Sequence, residues 1–491
     1  MNLPAEIYSV ASVRAIDQVA INDAGIGGYT LMTRAAEAAL AEAQARFPDA
    51  RRWQVICGAG NNGGDGYVLA RLAAASGIGV SVLTLAPADS LQGDAATAFQ
   101  DFAAEGGAAG TFEGSLDTEA ELLLDALLGS GLERDLEGLF AEVVDAINQH
   151  PASVLALDIP SGLNADSGRV MGVAVRADLT VTFVGLKSGL FLNEGPDYVG
   201  DLCFAGLDIP AACRSQEQAV LQRIDDDTIK ALLAPRKRDA HKGDFGHVLI
   251  VGGSPGMSGA VRLCGEAALR TGAGLVSVAT HPSHYAMIAS GRPELMCQAV
   301  ESAADLAPLL ARATVIAIGP GLGTGEWSQS MFAAVTQSDL PLVVDADALN
   351  LLGQSEVRKP DWILTPHPGE AARLLESSTG KVQGDRRGAL ANIAARYGGT
   401  VVLKGSGSLV SAEAGPSWLC TAGNPGMAAP GMGDVLTGII AALRAQGLSA
   451  EMAAVAGVNI HARAGDAAAA SGQRGLMASD LLQELRDWVN P

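Results

Sequence analysis

The chain has 491 residues, 48% of them apolar, and a formal charge of −21. That length is more than one hydrophobic core usually serves, so two or more domains are expected. The negative charge argues against a nucleic-acid surface or an anionic membrane, which leaves small molecules as the expected ligands. The N-terminal sequence has no basic start followed by an apolar core, and no segment offers about 18 uninterrupted apolar residues, so a cytoplasmic protein is expected. Cys57, Cys203, Cys213, Cys264, Cys297 and Cys420 lie far apart with no C-x-x-C pair. Neither a disulfide framework nor a zinc site is suggested, and packing roles are expected.

Helical spacing runs from Ser12 to Ala45, broken at Asp23–Gly28 and ending near Phe47-Pro48. A short apolar strand, Val55–Cys57, then enters Gly58-Ala59-Gly60-Asn61-Asn62-Gly63-Gly64-Asp65-Gly66, read as a loop before a helix from Tyr67. Strand, glycine loop and helix make a phosphate-binding layout. Gly58, Gly60 and Gly63 satisfy G-x-G-x-x-G, but the next strand, Val80–Leu85, is followed by Ala86-Pro87 with no acidic residue for a ribose, so a dinucleotide oxidoreductase is disfavoured. Leu122–Leu124 leads into Asp125, and Val154–Leu157 into Asp158-Ile159-Pro160-Ser161. Ligands of open parallel sheets sit beyond the carboxyl ends of strands, where Asn62, Asp65, Asp125, Asp158 and Ser161 would converge, although a lone strand-end Asp is more often a turn or cap residue. Asn62, Asp125 and Ser161 present oxygens with one formal charge, which suits a monovalent cation better than a divalent one. Strands at Leu179–Phe183 and Gly200–Phe204 close this half. Lys187, between them, reads by default as a solvated lysine. The polar stretch 211–227, without a strand pattern, is the expected domain boundary, giving domains 1–215 and 225–491.

The second half opens on a basic cluster, Arg236, Lys237, Arg238, His241 and Lys242, either a solvated face or a phosphate contact. Strands follow at Val248–Val251, Leu275–Ala279, Val315–Ile318, Leu342–Val344, Trp362–Leu364 and Val401–Leu403, alternating with helices. The alternation implies a largely parallel sheet with helices on both faces. Polar or glycine-rich turns after these strands would line one edge of the sheet. His281 and His284 read as a surface turn rather than a metal site.

From Thr421 the sequence is rich in Gly and Pro, and from Val435 apolar residues recur at helical spacing. Gly431 and Gly433 bare the backbone where the first N–H groups of the helix lack partners, a place that holds anions. Asp434 in the first turn then suits a base that takes a proton from a hydroxyl while a phosphoryl group is delivered, and the helix dipole is expected to keep it ionised near neutral pH. A glycine-capped core helix, with Asp434 merely complementing the dipole, reads the same residues equally well.

Together, NNGGDG (61–66), LLDALLGSG (123–131) and LALDIPSG (155–162) resemble the NAD(P)H-hydrate epimerase domain. HKGDFGHVLIVGGSPGMSGA (241–260), IGPGLG (318–323), TPHPGE (365–370), VLKGSGS (402–408) and GNPG with GMGDVLTG (423–438) resemble the ADP- or ATP-dependent NAD(P)H-hydrate dehydratase of the ribokinase-like superfamily. The resemblance covers nearly the whole chain. It implies an α/β protein of two domains, an N-terminal Rossmann-like three-layer sandwich and a C-terminal ribokinase-like three-layer sandwich. It implies a metabolite-repair enzyme, isomerase and lyase at once: the first domain interconverts the R and S hydrates of NADH and NADPH, and the second dehydrates the S hydrate at the expense of ADP or ATP.

Motif by motif, the resemblance implies hydrate contacts at Asn61, Asn62, Gly63, Gly64, Asp65, Gly129, Ser130, Gly131, Leu132, Glu133, Arg134, Asp135 and Asp158, with Asp158 catalytic. It implies potassium on Asn62, Asp125 and Ser161. In the second domain Ala260, Gly321, His367 and Asp434 would meet the hydrate, Asp434 as the base. Lys404, Gly405, Ser406, Gly407, Ser408 and Gly433 would hold the nucleotide, with Mg2+ accompanying ADP or ATP. A homo-oligomer is expected. Ala428-Ala429-Pro430 departs from the family pattern, where a hydroxyl residue and a glycine precede the loop; Pro430 stiffens that turn and removes one N–H. The rival reading is a small-molecule kinase with an N-terminal nucleotide-sensing domain, distinguished by a phosphorylated product.

Overall fold

The computed structural model describes residues 3–411 and 415–490. The chain forms two compact units that divide between Gln222 and Arg223. Stretch 211–227 is more structured than its polarity suggests: Leu221 and Gln222 pair antiparallel with Ile7 and Glu6.

In the first unit seven strands, Arg52–Cys57 (β1), Gly79–Thr84 (β2), Ala109–Thr111 (β3), Leu122–Ala126 (β4), Ser153–Leu157 (β5), Leu179–Phe183 (β6) and Asp201–Ala205 (β7), form a parallel sheet in the order β3-β2-β1-β4-β5-β6-β7. The period of two sends alternate side chains to opposite faces. Trp53, Val55 and Cys57 of β1, with Leu122, Leu124 and Ala126 of β4, join one core, while Ile56 and Leu123 join the other. The first core is covered by helices Val10–Asn22, Gly28–Arg46 and Asn61–Ala75.

That last helix corrects an expectation, because Asn61 to Gly66, read as loop, form its opening turns. Three glycines there weaken helix propensity but allow close packing. A Cβ on Gly63 would come within 2.1 Å of Gly58 O, and one on Gly64 within 2.5 Å of Met32 Cε. Asp125 also differs from its expected place: it lies inside β4, with no exposed surface, rather than beyond the strand end.

In the second unit the strands are His247–Val251 (β8), Leu275–Thr280 (β9), Met296–Ala299 (β10), Val315–Ile318 (β11), Leu342–Val344 (β12), Trp362–Leu364 (β13), Thr400–Leu403 (β14), Ser408–Ser411 (β15) and Ser417–Cys420 (β16). Their order is β10-β9-β8-β11-β12-β13-β14-β15-β16, parallel through β14 and antiparallel after it. Helix Met432–Ala445 buries Val435, Leu436, Ile439, Ile440 and Leu443, the residues whose spacing marked it in sequence.

In both sheets the strand order reverses beside the first strand, between β1 and β4 and between β8 and β11. Ligands of doubly wound sheets bind at such switch points. At each one a glycine lets backbones meet. A Cβ on Gly58 would lie 1.8 Å from Leu127 O, and one on Gly252 2.1 Å from Pro320 O.

Candidate functional sites

At the switch point of the first sheet lies a cleft of about 1040 Å3, walled by Gly60, Asn61, Asn62, Asp65, the 127–134 turn, Asp158, Lys187 and one face of helix Val10–Asn22. Asp158 is held at φ +66° directly after β5, and its carboxylate is paired with Lys187. Lys187 is not the solvated lysine its glycine-rich surroundings suggested. It is 1% exposed, and its ammonium also donates to Thr182 Oγ1 at 3.0 Å and Phe183 O at 2.9 Å. Val184, a β-branched residue at φ +67°, adds backbone strain in the same wall.

Around this pair the carboxylates are crowded. Burial, with Asp158 and Asp17 nearby, pushes Asp65 well above the ordinary carboxylate range against the opposing pull of Lys187. Asp17 is pushed up to about 6 by burial and Asp158, again opposed by Lys187.

Gly63 and Gly64, expected to contact ligand, are packed against Gly58 at the strand end and against Met32 and Ala95 of neighbouring helices, and do not line the cleft; Asp135 is also absent from its wall. Behind the cleft, Asp125 accepts from Ser161 N at 2.7 Å, Ser161 Oγ at 2.6 Å and Leu127 N at 3.2 Å. Burial pushes its carboxyl up to about 6 despite these bonds. Leu128 joins the three residues expected to hold a cation: its N–H donates to Ser161 Oγ at 2.9 Å, and its carbonyl accepts from Asn62 Nδ2 at 3.0 Å. Asn62 Oδ1 is buried with no partner. An orphaned amide oxygen linked through Leu128 and Ser161 to a buried carboxylate is a donor set that fits a weakly charged cation such as potassium.

In the second unit the strand-end residues meet around Lys404. Its ammonium lies 2.8 Å from Asp345 Oδ1 and 3.9 Å from Glu370 Oε2. Asp345 also accepts from Thr365 Oγ1 at 2.8 Å and Thr437 Oγ1 at 2.9 Å. Burial alone would raise its carboxyl, but Lys404 and the two hydroxyls hold it below its ordinary value. Asp434 fares differently. Burial, then the nearby Asp345 and Asp347, push it up to about 7 against the pull of Lys404, so the helix dipole does not keep it fully ionised as expected from sequence.

Gly431 (φ +88°) opens the helix with no side-chain cap, and the first bond back is Val435 N–H to Gly431 O at 3.1 Å. Burial holds the ring of His461, next to Met432, neutral, its titration pushed down to about 4. Gly433 faces Lys404: a Cβ there would lie 3.3 Å from Nζ. Ala260 and Gly321 adjoin, since a Cβ on Gly321 would come within 3.1 Å of Ala260 Cβ. His367 caps the helix Pro368–Leu374 and sits 3.4 Å from Glu370, its ring held below the ordinary histidine range by burial, Lys404 and Arg373.

Lys404 to Gly407 owe their shape to Arg386, buried and unremarked in sequence, which donates to the carbonyls of Leu403, Lys404, Ser406 and Gly407 at 2.8–3.4 Å. Two N–H groups of the same turn are engaged as well, Lys404 N–H with Pro366 O at 2.9 Å and Gly405 N–H with Ser408 Oγ at 3.3 Å. By contrast, Arg236 of the basic cluster stacks on Phe245 and bonds Gly272 O and Gln446, a structural clamp. The cysteines are all free, and no helix among the described residues is long and apolar enough to cross a membrane.

Solved structures resemble the second unit. A ribokinase-like superfamily protein from Enterococcus faecalis is 29% identical with a TM-score of 0.51, covering 55% of this chain and 96% of its own; a Streptococcus mutans protein gives the same identity, TM-score and share of this chain, over 99% of its own length. The class is therefore a ribokinase-like domain following a doubly wound Rossmann-like one. Residues 248–487 match the family model NAD(P)H-hydrate dehydratase, and residues 28–189 match the YjeF-related protein N-terminus. The bifunctional NAD(P)H-hydrate repair enzyme Nnr of Coxiella burnetii is 48% identical over 486 residues, 99% of either chain, and that of Escherichia coli 42% identical over 492 residues, covering 100% of this chain and 95% of its own. The chain belongs to the family of bifunctional NAD(P)H-hydrate repair enzymes.

Proposed function

We propose that the first unit interconverts the R and S hydrates of NADH and NADPH, and that the second dehydrates the S hydrate at the expense of ADP or ATP, giving AMP or ADP and phosphate. The observation that carries the second step is a carboxyl poised near neutrality, Asp434, beside the Lys404 ammonium at an uncapped helix N-terminus. Asp434 takes the proton of the hydrate's hydroxyl. That oxygen attacks the terminal phosphoryl group and expels AMP or ADP; phosphate, a better leaving group than hydroxide, then departs with the C–O electron pair while the ring nitrogen lone pair forms a C=N bond, and loss of a proton from the adjacent ring carbon to solvent restores the ring double bond. Lys404, the amides around Gly433 and the 405–408 loop hold the nucleotide, while Ala260, Gly321 and His367 face the hydrate.

Mg2+ fits here because it is commonly held by one or two carboxylates together with substrate phosphates, and Asp345, Asp347 and Asp434 outnumber the one lysine. Bound there, it would neutralise phosphate charge. In the first unit Asn61, Asn62, Asp65 and the 129–134 turn face the hydrate, and Asp158 with Lys187 moves protons at the hydroxyl-bearing carbon. Potassium on Asn62, Asp125 and Ser161 would fix the 127–129 turn and the start of the helix at Asn61.

Purified S hydrate given ADP or ATP should regain the absorbance of the reduced nicotinamide with stoichiometric phosphate; a phosphorylated substrate instead would establish the kinase reading. Asp125→Ala should lower epimerisation at least tenfold and abolish its response to potassium while leaving dehydration of pure S hydrate unchanged. Loss of both activities in a folded variant would contradict the independence of the two sites. Residues 1–222 expressed alone should be soluble and epimerise. A folded fragment without epimerisation would favour a sensor.

A further inference from the structure

The reaction proposed for the first unit makes a demand that Asp158 alone does not meet. The hydroxyl-bearing carbon adjoins the ring nitrogen, and inverting it requires water to leave one face of the ring and return to the other. Each face needs a group able to give or take a proton. Asp158 and Lys187 come from the sheet edge. Helix Val10–Asn22, which precedes the stretch matched to the family model, reaches the cleft separately and presents Val13, Arg14, Asp17, Gln18 and Ile21 to it. Asp17 is its only carboxylate there. It makes no hydrogen bond or ion pair among the described residues, yet lies close enough to Asp158, Lys187 and Asp65 to feel their charges. Such a carboxylate, half-buried at a cleft wall and without a structural partner, is a functional candidate.

We infer that Asp17 is the second proton-handling residue of the epimerase cleft, acting on the ring face opposite that served by Asp158. The inference rests on the epimerase reading above. In one direction the Asp17 carboxyl protonates the hydroxyl. The C–O bond breaks, its electron pair leaving with water, while the nitrogen lone pair forms a C=N bond. Water then adds to the other face, the π pair returns to nitrogen, and the surplus proton passes to Asp158. The reverse direction starts from the opposite protonation state, and solvent resets the pair. Burial and Asp158 favour the protonated form of Asp17, as a general acid requires; Lys187 opposes it, and Asp65 is the other carboxyl facing it.

The test uses the full chain, with R hydrate as substrate and S hydrate as control, so that absorbance recovery from R reports epimerisation and recovery from S does not. Asp17→Asn should lower kcat for R at least 100-fold with KM nearly unchanged, flatten the pH dependence near pH 6, and leave turnover of S intact. Asp17→Glu should restore part of the rate, which a merely structural role would not require. Because Asp17 has no partner to lose, Asp17→Asn should fold with an unchanged or higher Tm. Full epimerisation with an unaltered pH profile in Asp17→Asn, alongside an inactive Asp158→Asn, overturns this inference alone. Full activity in both variants overturns the epimerase reading of the cleft and this inference with it.

Discussion

Asp434→Asn lowers kcat for dehydration by roughly 10²–10⁴ and changes nucleotide affinity little, because the amide keeps the shape and removes the base. In the wild type the base is active when ionised, and its carboxyl is pushed up to about 7 by burial and the neighbouring Asp345 and Asp347. The rate should therefore rise with pH through about 7 and level off above it. Stability runs the other way. A carboxyl whose folded titration is raised favours the folded state at low pH, and this contribution is lost as pH rises through about 7. Asp434→Asn should thus raise Tm at pH 8 and leave it nearly unchanged at pH 4. A helix cap would be replaced well by Asn, with turnover preserved. Near-normal turnover would falsify the assignment of Asp434 as base, and lost nucleotide affinity with intact kcat would make it a binding residue.

Lys404→Met carries the larger expected effect on stability. Asp345, 2% exposed in its side chain, would keep its two threonine donors but lose the Lys404 ammonium, its ion-pair partner among the described residues. Removing one partner of a buried ion pair costs about 3–5 kcal/mol, measurable by denaturant unfolding. The pH dependence should invert. In the wild type Asp345 is held low, so its contribution is present above the ordinary carboxylate value and lost as pH falls through the depressed one. In the variant, burial acts unopposed by the ammonium, the carboxyl moves up, and stability improves toward acid. Asp434 loses the same counterweight and moves further up, so any residual dehydration needs a more alkaline medium. A variant as stable as the wild type, with the wild-type pH dependence, would mean that Lys404 does not stabilise Asp345.

Much of this was legible in the chain. The apolar spacing from Val435 placed the last-site helix, and the strands Leu179–Phe183, Val315–Ile318, Leu342–Val344 and Trp362–Leu364 read with their observed limits, because buried parallel strands are short apolar runs ended by turn residues. Errors fell where tertiary packing overrides local preference. Asn61 to Gly66 looks like a loop because three glycines disfavour helix, but those glycines are what lets the helix lie against Gly58 and Met32. Short edge strands Ala109–Thr111 and Met296–Ala299 lack a pattern of their own and exist through pairing with β2 and β9.

By itself the sequence determined the two α/β halves, the glycine-opened helix that carries Asp434 in its first turn and the set of strand-end residues available for chemistry, since periodicity, turn residues and caps are local properties of the chain. The tertiary structure alone decided what those residues are. Lys187 became the buried partner of Asp158, Arg386 the clamp of the 404–407 turn, Asp17 a wall of the cleft and Asp434 a carboxyl titrating near 7. Burial and the charges of groups distant in sequence set each of these properties, and neither can be computed from a residue's neighbours along the chain.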